Sequence, residues 1–256
     1  MAPSLQGRRK LRLKKLILFD LDGTLTESGL GITKSVQYAL RKFGIEEPDL
    51  EKLRVFVGPP LIEMFQAYAG LDKEQAKQGV VYYREYFQKK GIFENALYPG
   101  VTKMLAELKT KGFSLGIASS KPEPYVLQIA DYFDIKKYFD VIVGSTMSET
   151  RTKKAEVIEE ALARYADAVI SNFTASERTN AEGPAEENER LSVLKKLRDE
   201  TVMVGDKSHD ILGAREAGIR CIGVLYGYGT KEEIDGASPF AVAETVDELR
   251  RITGEL

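Results

Sequence analysis

The sequence predicts an α/β protein: an open parallel sheet covered by helices, interrupted once by a small helical insertion. Two observations carry this. From Tyr98-Pro99-Gly100 onward, short apolar runs alternate with segments of helical periodicity, the order expected of a parallel sheet wrapped by its crossover helices. Before that point a single apolar run, Leu16–Phe19, is followed by several helical segments with no convincing strand among them. The resulting division is a basic arm over residues 1–15, a core assembled from 16–27 and 98–256, and a helical insertion over 28–97.

Each element has a local cause. Leu16–Phe19 is a strand because it is continuously apolar and ends at an acidic glycine turn. In the insertion, Ile32–Phe43 reads as a helix closed by Gly44, and Leu61–Tyr68 as a helix opened by Pro59-Pro60 and stopped by Gly70. Lys73–Lys90 is a longer helix whose Val80, Tyr83 and Phe87 fall at helical spacing, a packing stripe. In the core, Val101, Met104, Leu105 and Leu108 mark one helix face, followed by strand Ser114–Ala118 and helix Pro122–Tyr132. Strand Val141–Val143, helix Thr152–Tyr165, strand Thr201–Val204, helix Asp210–Ala217 and strand Cys221–Val224 continue the alternation. Ala241–Ala243 is an edge strand and Val246–Ile252 a final helix. Between about 167 and 190 the rhythm breaks into Ser, Asn, Glu, Gly and Pro, which predicts a flexible insertion, with a helix resuming at Leu191–Leu197.

Composition narrows the chemistry. The net charge of −2 offers no basic footprint for nucleic acid or an anionic membrane, and no apolar run is long enough to span a bilayer. Cys221 is the only cysteine, so there is no intramolecular disulfide and no cysteine-built zinc site, which suits a reducing, cytoplasmic setting. With His209 as the only histidine, a multi-histidine metal centre is excluded and carboxylates must carry the site chemistry. Arg8, Arg9, Lys10, Arg12, Lys14 and Lys15 make the first 15 residues basic, and the apolar run after them is too short for a signal-peptide core, so a disordered arm is expected.

The most informative stretch is Ile17-Leu18-Phe19-Asp20-Leu21-Asp22-Gly23-Thr24. Residues two apart on extended backbone face one side, so Asp20 and Asp22 are aimed at one small volume, where two carboxylates shielded from water invite a cation. Three further clusters fall just after predicted strands or at helix starts: Ser119-Ser120-Lys121-Pro122, Lys153-Lys154, and Gly205-Asp206-Lys207-Ser208-His209-Asp210. In an open parallel sheet these positions share the carboxyl edge, where ligands bind. Together they supply a nucleophile, acids for a cation, hydroxyl donors and fixed positive charge, the requirements of a phosphoryl site.

In these residues the chain resembles the haloacid dehalogenase superfamily, in its phosphoglycolate phosphatase-like branch. The first family motif stands as Asp20-Leu21-Asp22-Gly23-Thr24, the second ends on Ser119, and the fourth is Gly205-Asp206 with Asp210. The third, a lysine opening a helix, falls on Lys154 or Lys153, with Lys154 preferred because the apolar face follows it directly. The resemblance covers nearly all of Leu16 to Ile252. It implies a Rossmann-like core with a helical cap, and a magnesium-dependent phosphatase acting on a small phosphate monoester, of phosphoglycolate or nucleoside monophosphate type.

The resemblance also implies roles. Asp20 would be the nucleophile and Asp22 the acid–base, with Ser119 and Lys154 completing the catalytic set. Asp20, Asp22 through its carbonyl, and Asp206 would hold Mg2+, supported by Asp210. Thr24, Ser120, Lys121, Arg54 and Gly58 are placed at the phosphate or substrate. The partner implied is a small phosphorylated metabolite; oligomeric state is open. A phosphosugar mutase uses the same motifs, and a non-catalytic binding module could reuse the fold. His209 reads as a structural or helix-starting residue, and Cys221 as a small buried apolar one.

Overall fold

The first strand, β1 (Leu16–Phe19), has four fully buried side chains, as a strand covered on both faces requires. It lies in a computed structural model that describes residues 13–148, 150–177 and 185–256. Six strands form one parallel sheet in the order β5-β4-β1-β6-β7-β8, with β4 at Ser114–Pro122, β5 at Val141–Ser145, β6 at Thr201–Gly205, β7 at Arg220–Val224 and β8 at Ala241–Ala243. The chain order reverses at β1, whose neighbours are β4 and β6. Phe19 pairs with Ile117 of β4 and Val204 of β6, so all three strands deliver their next residues to the same sheet edge. That is the crevice where an open α/β sheet binds ligands.

Alternation along β1 divides the core. Ile17 and Phe19 pack with α4 (Val101–Thr110), α5 (Glu123–Tyr132) and α10 (Val246–Gly254), together with the helical insertion. Leu16 and Leu18 face the other layer, made by α6 (Lys154–Glu177), α7 (Ala185–Asp199), α8 (Ser208–Glu216) and α9 (Lys231–Ala237). The expected alternating core is therefore present, with Ala241–Ala243 as the edge strand.

The helical insertion joins the sheet through two short strands that run side by side. β2 (Thr26–Glu27) leads out, β3 (Ala96–Leu97) leads back, and they pair antiparallel. Between them lie α1 (Gly29–Lys42), a 3-10 turn over Glu51–Phe56, α2 (Leu61–Ala69) and α3 (Lys73–Tyr86). α1 begins three residues before the predicted Ile32. The Asp72 carboxylate caps α3 by accepting from the Glu74 and Gln75 N–H groups. The single helix expected over Lys73–Lys90 instead changes to a π-helical turn over Phe87–Gly91. Phe56, Phe65, Tyr83 and Phe87 are buried and make ring contacts with one another, in keeping with a packing role.

One expectation is corrected. The flexible insertion predicted at about 167–190 is helical over 167–177, where α6 runs on, and over 185–190, where α7 has begun. The polar residues of this stretch lie between apolar ones that continue the stripe of Ala161, Leu162, Tyr165 and Ala166: Val169 and Ile170 pack on the same core. Residues 178–184, and the basic arm through residue 12, lie outside the described residues. No helix among the described residues is long and apolar enough to cross a membrane.

Leu162 is fully buried at the centre of the α6 layer. Leu162→Ala should destabilise the fold by about 2–5 kcal/mol in urea unfolding. A loss under about 1 kcal/mol would mean that α6 does not pack on the sheet as described.

Candidate active site

Asp20 is the residue after β1, and its N–H donates to Val204 O at 2.9 Å, which fixes the backbone to β6 just as the chain leaves the sheet. The turn that follows needs Gly23. Its φ is +82°, and a Cβ there would fall 2.1 Å from Asp206 Oδ2. The motif loop and the loop after β6 are thus pressed together, which brings acids distant in sequence to one place.

Lys154 binds them. It opens α6, is 4 % exposed, and places its ammonium 2.9 Å from Asp20 Oδ1 and 2.8 Å from Asp210 Oδ1 while donating to Ala118 O at 3.1 Å. Burial opposes the lysine's charge, but the two carboxylates outweigh it and push its pKa up. Lys153 is exposed, so the structure assigns the buried position to Lys154. Asp210 feels burial as an upward push, yet Lys154, His209 and the Lys207 N–H, which donates to Oδ2 at 3.0 Å, together hold it below the usual carboxylate range.

The other acids are less well compensated. Burial raises the pKa of Asp20 despite Lys154, with Asp210 adding to the rise. Asp206 is pushed well above its ordinary range by burial and then by Asp210 and Asp20. It is held by the Tyr228 N–H at 2.8 Å and the Thr24 hydroxyl at 3.5 Å. Three carboxylates are thus buried together, and Lys154 is paired with two of them, Asp20 and Asp210. Besides the Asp20 and Asp210 oxygens that Lys154 holds, Asp22 Oδ1 is buried with no hydrogen bond. This shortage of positive charge and surplus of oxygen acceptors fits a hard divalent cation such as magnesium. Asp210 Oδ1 faces Lys154, and the Asp22 carboxylate is taken by another lysine.

That lysine is Lys121, whose Nζ lies 2.7 Å from Asp22 Oδ2 and 4.8 Å from the Phe87 ring centroid. Ser119, on the same strand β4, is 2 % exposed and accepts from the Lys121 N–H at 3.3 Å. Ser120 is half-buried at this edge. Pro122 caps α5, which begins at Glu123 rather than at the proline. Gly58 belongs to the insertion and adopts φ +104°; a Cβ there would approach His209 Cε1 to 3.2 Å. Arg54 is exposed, pairs with Glu51 at 3.0 Å, and lies 5.9 Å from the Tyr228 ring centroid.

Sequence reasoning missed two features. His209 lies in the first turn of α8, and its Nε2 is buried with no hydrogen bond, its ligand atom grouped with those of Asp20 and Asp210 within 4.8 Å. Tyr226-Gly227-Tyr228 follows β7 and lies against the acidic loops. Two glycines alternating with tyrosines just after a strand were the available signal.

Lys154→Met leaves Asp20 and Asp210 buried without their counter-charge and should cost about 3–5 kcal/mol of stability. The exposed Lys153→Met should stay within about 0.5 kcal/mol of the wild type. Equal effects in urea unfolding would contradict the assignment of the third motif to Lys154.

Comparison with known proteins agrees with this geometry. The family model for haloacid dehalogenase-like hydrolases matches residues 17–177, and a related hydrolase model of the same group matches 154–249. A Pseudomonas aeruginosa protein named 5'-nucleotidase is 38 % identical over 236 residues, covering 92 % of this chain and 94 % of that one. The Mycobacterium tuberculosis protein named tyrosine-protein kinase PtkA is 36 % identical over 242 residues, covering 94 % of this chain and 72 % of that one. Among solved structures, a predicted phosphatase from Clostridium acetobutylicum superimposes with a TM-score of 0.79 at 39 % identity, covering 96 % of this chain and all of that one. The chain belongs to the haloacid dehalogenase-like hydrolase family.

Proposed function

We propose that the protein is a magnesium-dependent phosphatase that hydrolyses small phosphate monoesters, nucleoside 5'-monophosphates first among them. The observation that carries this reading is the buried Asp20–Lys154–Asp210 ion triad at the sheet's carboxyl edge, with Asp22–Lys121 beside it. The nucleotide preference draws on the 38 % identity to the Pseudomonas 5'-nucleotidase.

The residues divide the work as follows. Asp20 attacks phosphorus, forming a carboxyl–phosphate bond as the ester P–O bond breaks. Asp22 gives its proton to the departing alkoxide and takes one back from the water that then releases phosphate and restores Asp20. Ser119 donates to a phosphoryl oxygen. Lys154 holds Asp20 in place and balances its charge, and Lys121 meets the incoming phosphate from the other side. Asp20, the Asp22 carbonyl and Asp206 would hold magnesium, which when bound neutralises phosphoryl oxygens. The insertion over 28–97 acts as a cap: Gly58 rests near His209 and Phe87 near Lys121, so it covers the site and excludes water from the first step. A cytoplasmic location belongs to this reading, supported by the lone buried thiol of Cys221.

A second reading follows from the mycobacterial relative. Its name describes transfer to tyrosine, so the phosphoryl group on Asp20 would pass to a protein hydroxyl instead of water. Incubation with labelled ATP separates the two, since only the second reading predicts stable label on a protein tyrosine.

A panel of nucleoside 5'-monophosphates, phosphoglycolate and sugar phosphates should show magnesium-dependent release of inorganic phosphate, abolished by chelation. Phosphate retained on a sugar would replace the hydrolase with a mutase. Asp20→Asn should lower turnover of a generic aryl phosphate by at least about a thousandfold with the fold intact by circular dichroism. Activity near wild type would remove Asp20 as nucleophile.

A further inference from the structure

The loop after β7 touches the site at several points. Tyr226 donates its hydroxyl to Thr24 O at 3.0 Å, in the turn that carries Asp22. The same ring packs edge-on against Tyr98, centroids 4.9 Å apart, just past returning strand β3. Gly227 slips between the two acidic loops, where a Cβ would fall 2.3 Å from Asp206 Cβ and 2.4 Å from Gly23 O. Tyr228 then divides its polar groups. Its backbone N–H donates to Asp206 Oδ2 at 2.8 Å; its hydroxyl accepts from the Gly29 N–H at 2.6 Å and donates to Glu27 Oε1 at 3.2 Å. Gly29 is the first residue of α1, and Glu27 ends β2, the outgoing connection to the helical insertion.

Three consecutive residues thus grip both connections of the insertion and one of the buried carboxylates. We propose that Tyr228 is a positioning residue that couples the cap to the cation site, its backbone fixing Asp206 while its hydroxyl fixes the start of α1. The inference rests on Asp206 binding the cation, as argued under the proposed function. A cation on Asp206 pins the carboxylate, the carboxylate pins the Tyr228 amide, and the hydroxyl of that rigid side chain pins the Gly29 amide. The reverse follows by linkage: a cap set in its covering position presents Asp206 already oriented. Glu27 contributes by holding the hydroxyl hydrogen, which leaves the oxygen's lone pair for Gly29.

The test uses the full chain and magnesium alone, with amide hydrogen exchange as the readout, so no turnover is needed. In the wild type, saturating magnesium should slow exchange about tenfold both at 205–210 and at 28–34, although the second segment carries no proposed ligand. Tyr228→Phe keeps the ring and the amide to Asp206 and removes only the hydroxyl. In that variant the slowing at 205–210 should persist while that at 28–34 falls to under about twofold. Glu27→Gln, which keeps a hydrogen-bond acceptor, should retain most of the coupling and shows whether loss in Tyr228→Phe comes from the hydroxyl rather than from local unfolding. Equal slowing at 28–34 in wild type and Tyr228→Phe overturns the coupling. So does protection in the wild type that is confined to 205–210. No magnesium-dependent slowing anywhere overturns the cation reading itself, and the coupling with it.

Discussion

A single buried ammonium organises this molecule's chemistry. Lys154 stands between Asp20 and Asp210 at the point where β1, β4 and β6 end together, and it anchors to the Ala118 carbonyl of β4. Taking two carboxylates and an ammonium out of water costs several kcal/mol per ion, and only close mutual contact offsets this. The arrangement therefore demands a rigid frame. The sheet supplies it, because parallel neighbours lock the register of the central strand from both sides. Helix α6 supplies the other half by delivering Lys154 from its first turn while burying Val157, Ile158, Ala161 and Leu162 against the sheet face that carries Leu16 and Leu18.

The ammonium does not satisfy the whole site. Asp206 remains a buried acid whose partners are a backbone amide and a hydroxyl, and Asp22 relies on Lys121 at the strand's far side. Such incomplete compensation is costly in a fold with no use for it. Here it leaves buried carboxylate oxygens at the sheet's carboxyl edge with Lys154 and Lys121 beside them. Aromatic residues border the site: Phe87 lies against Lys121, Tyr226 bonds to Thr24 O, and the Tyr228 N–H bonds to Asp206.

Much of this was legible in the sequence, for identifiable reasons. The strand ending on Asp20, the alternation after Tyr98 and the lysine before an apolar helix face are local patterns with local causes, and the structure follows them. The extent of α6 was not legible because Ser171, Asn172 and neighbouring polar residues read as loop formers, while the apolar residues that keep the helix on the core are sparse. Which acid faces the lysine was not legible either. Asp206 and Asp210 are four apart in one motif, and only the fold shows that the second meets Lys154 while the first turns to Tyr228. The tyrosine clasp depends on contacts with residues some two hundred positions earlier, which no local pattern announces.

In the proposed reaction Asp20 carries the phosphoryl group between substrate and water. Acid quenching during turnover of a nucleoside 5'-monophosphate with magnesium, followed by mass spectrometry of the digested protein, reads that directly. The expected result is the added mass of one phosphoryl group on the peptide holding Asp20, absent without substrate. A phosphoryl group on another residue, or turnover with none on the protein at any quench time, would contradict it.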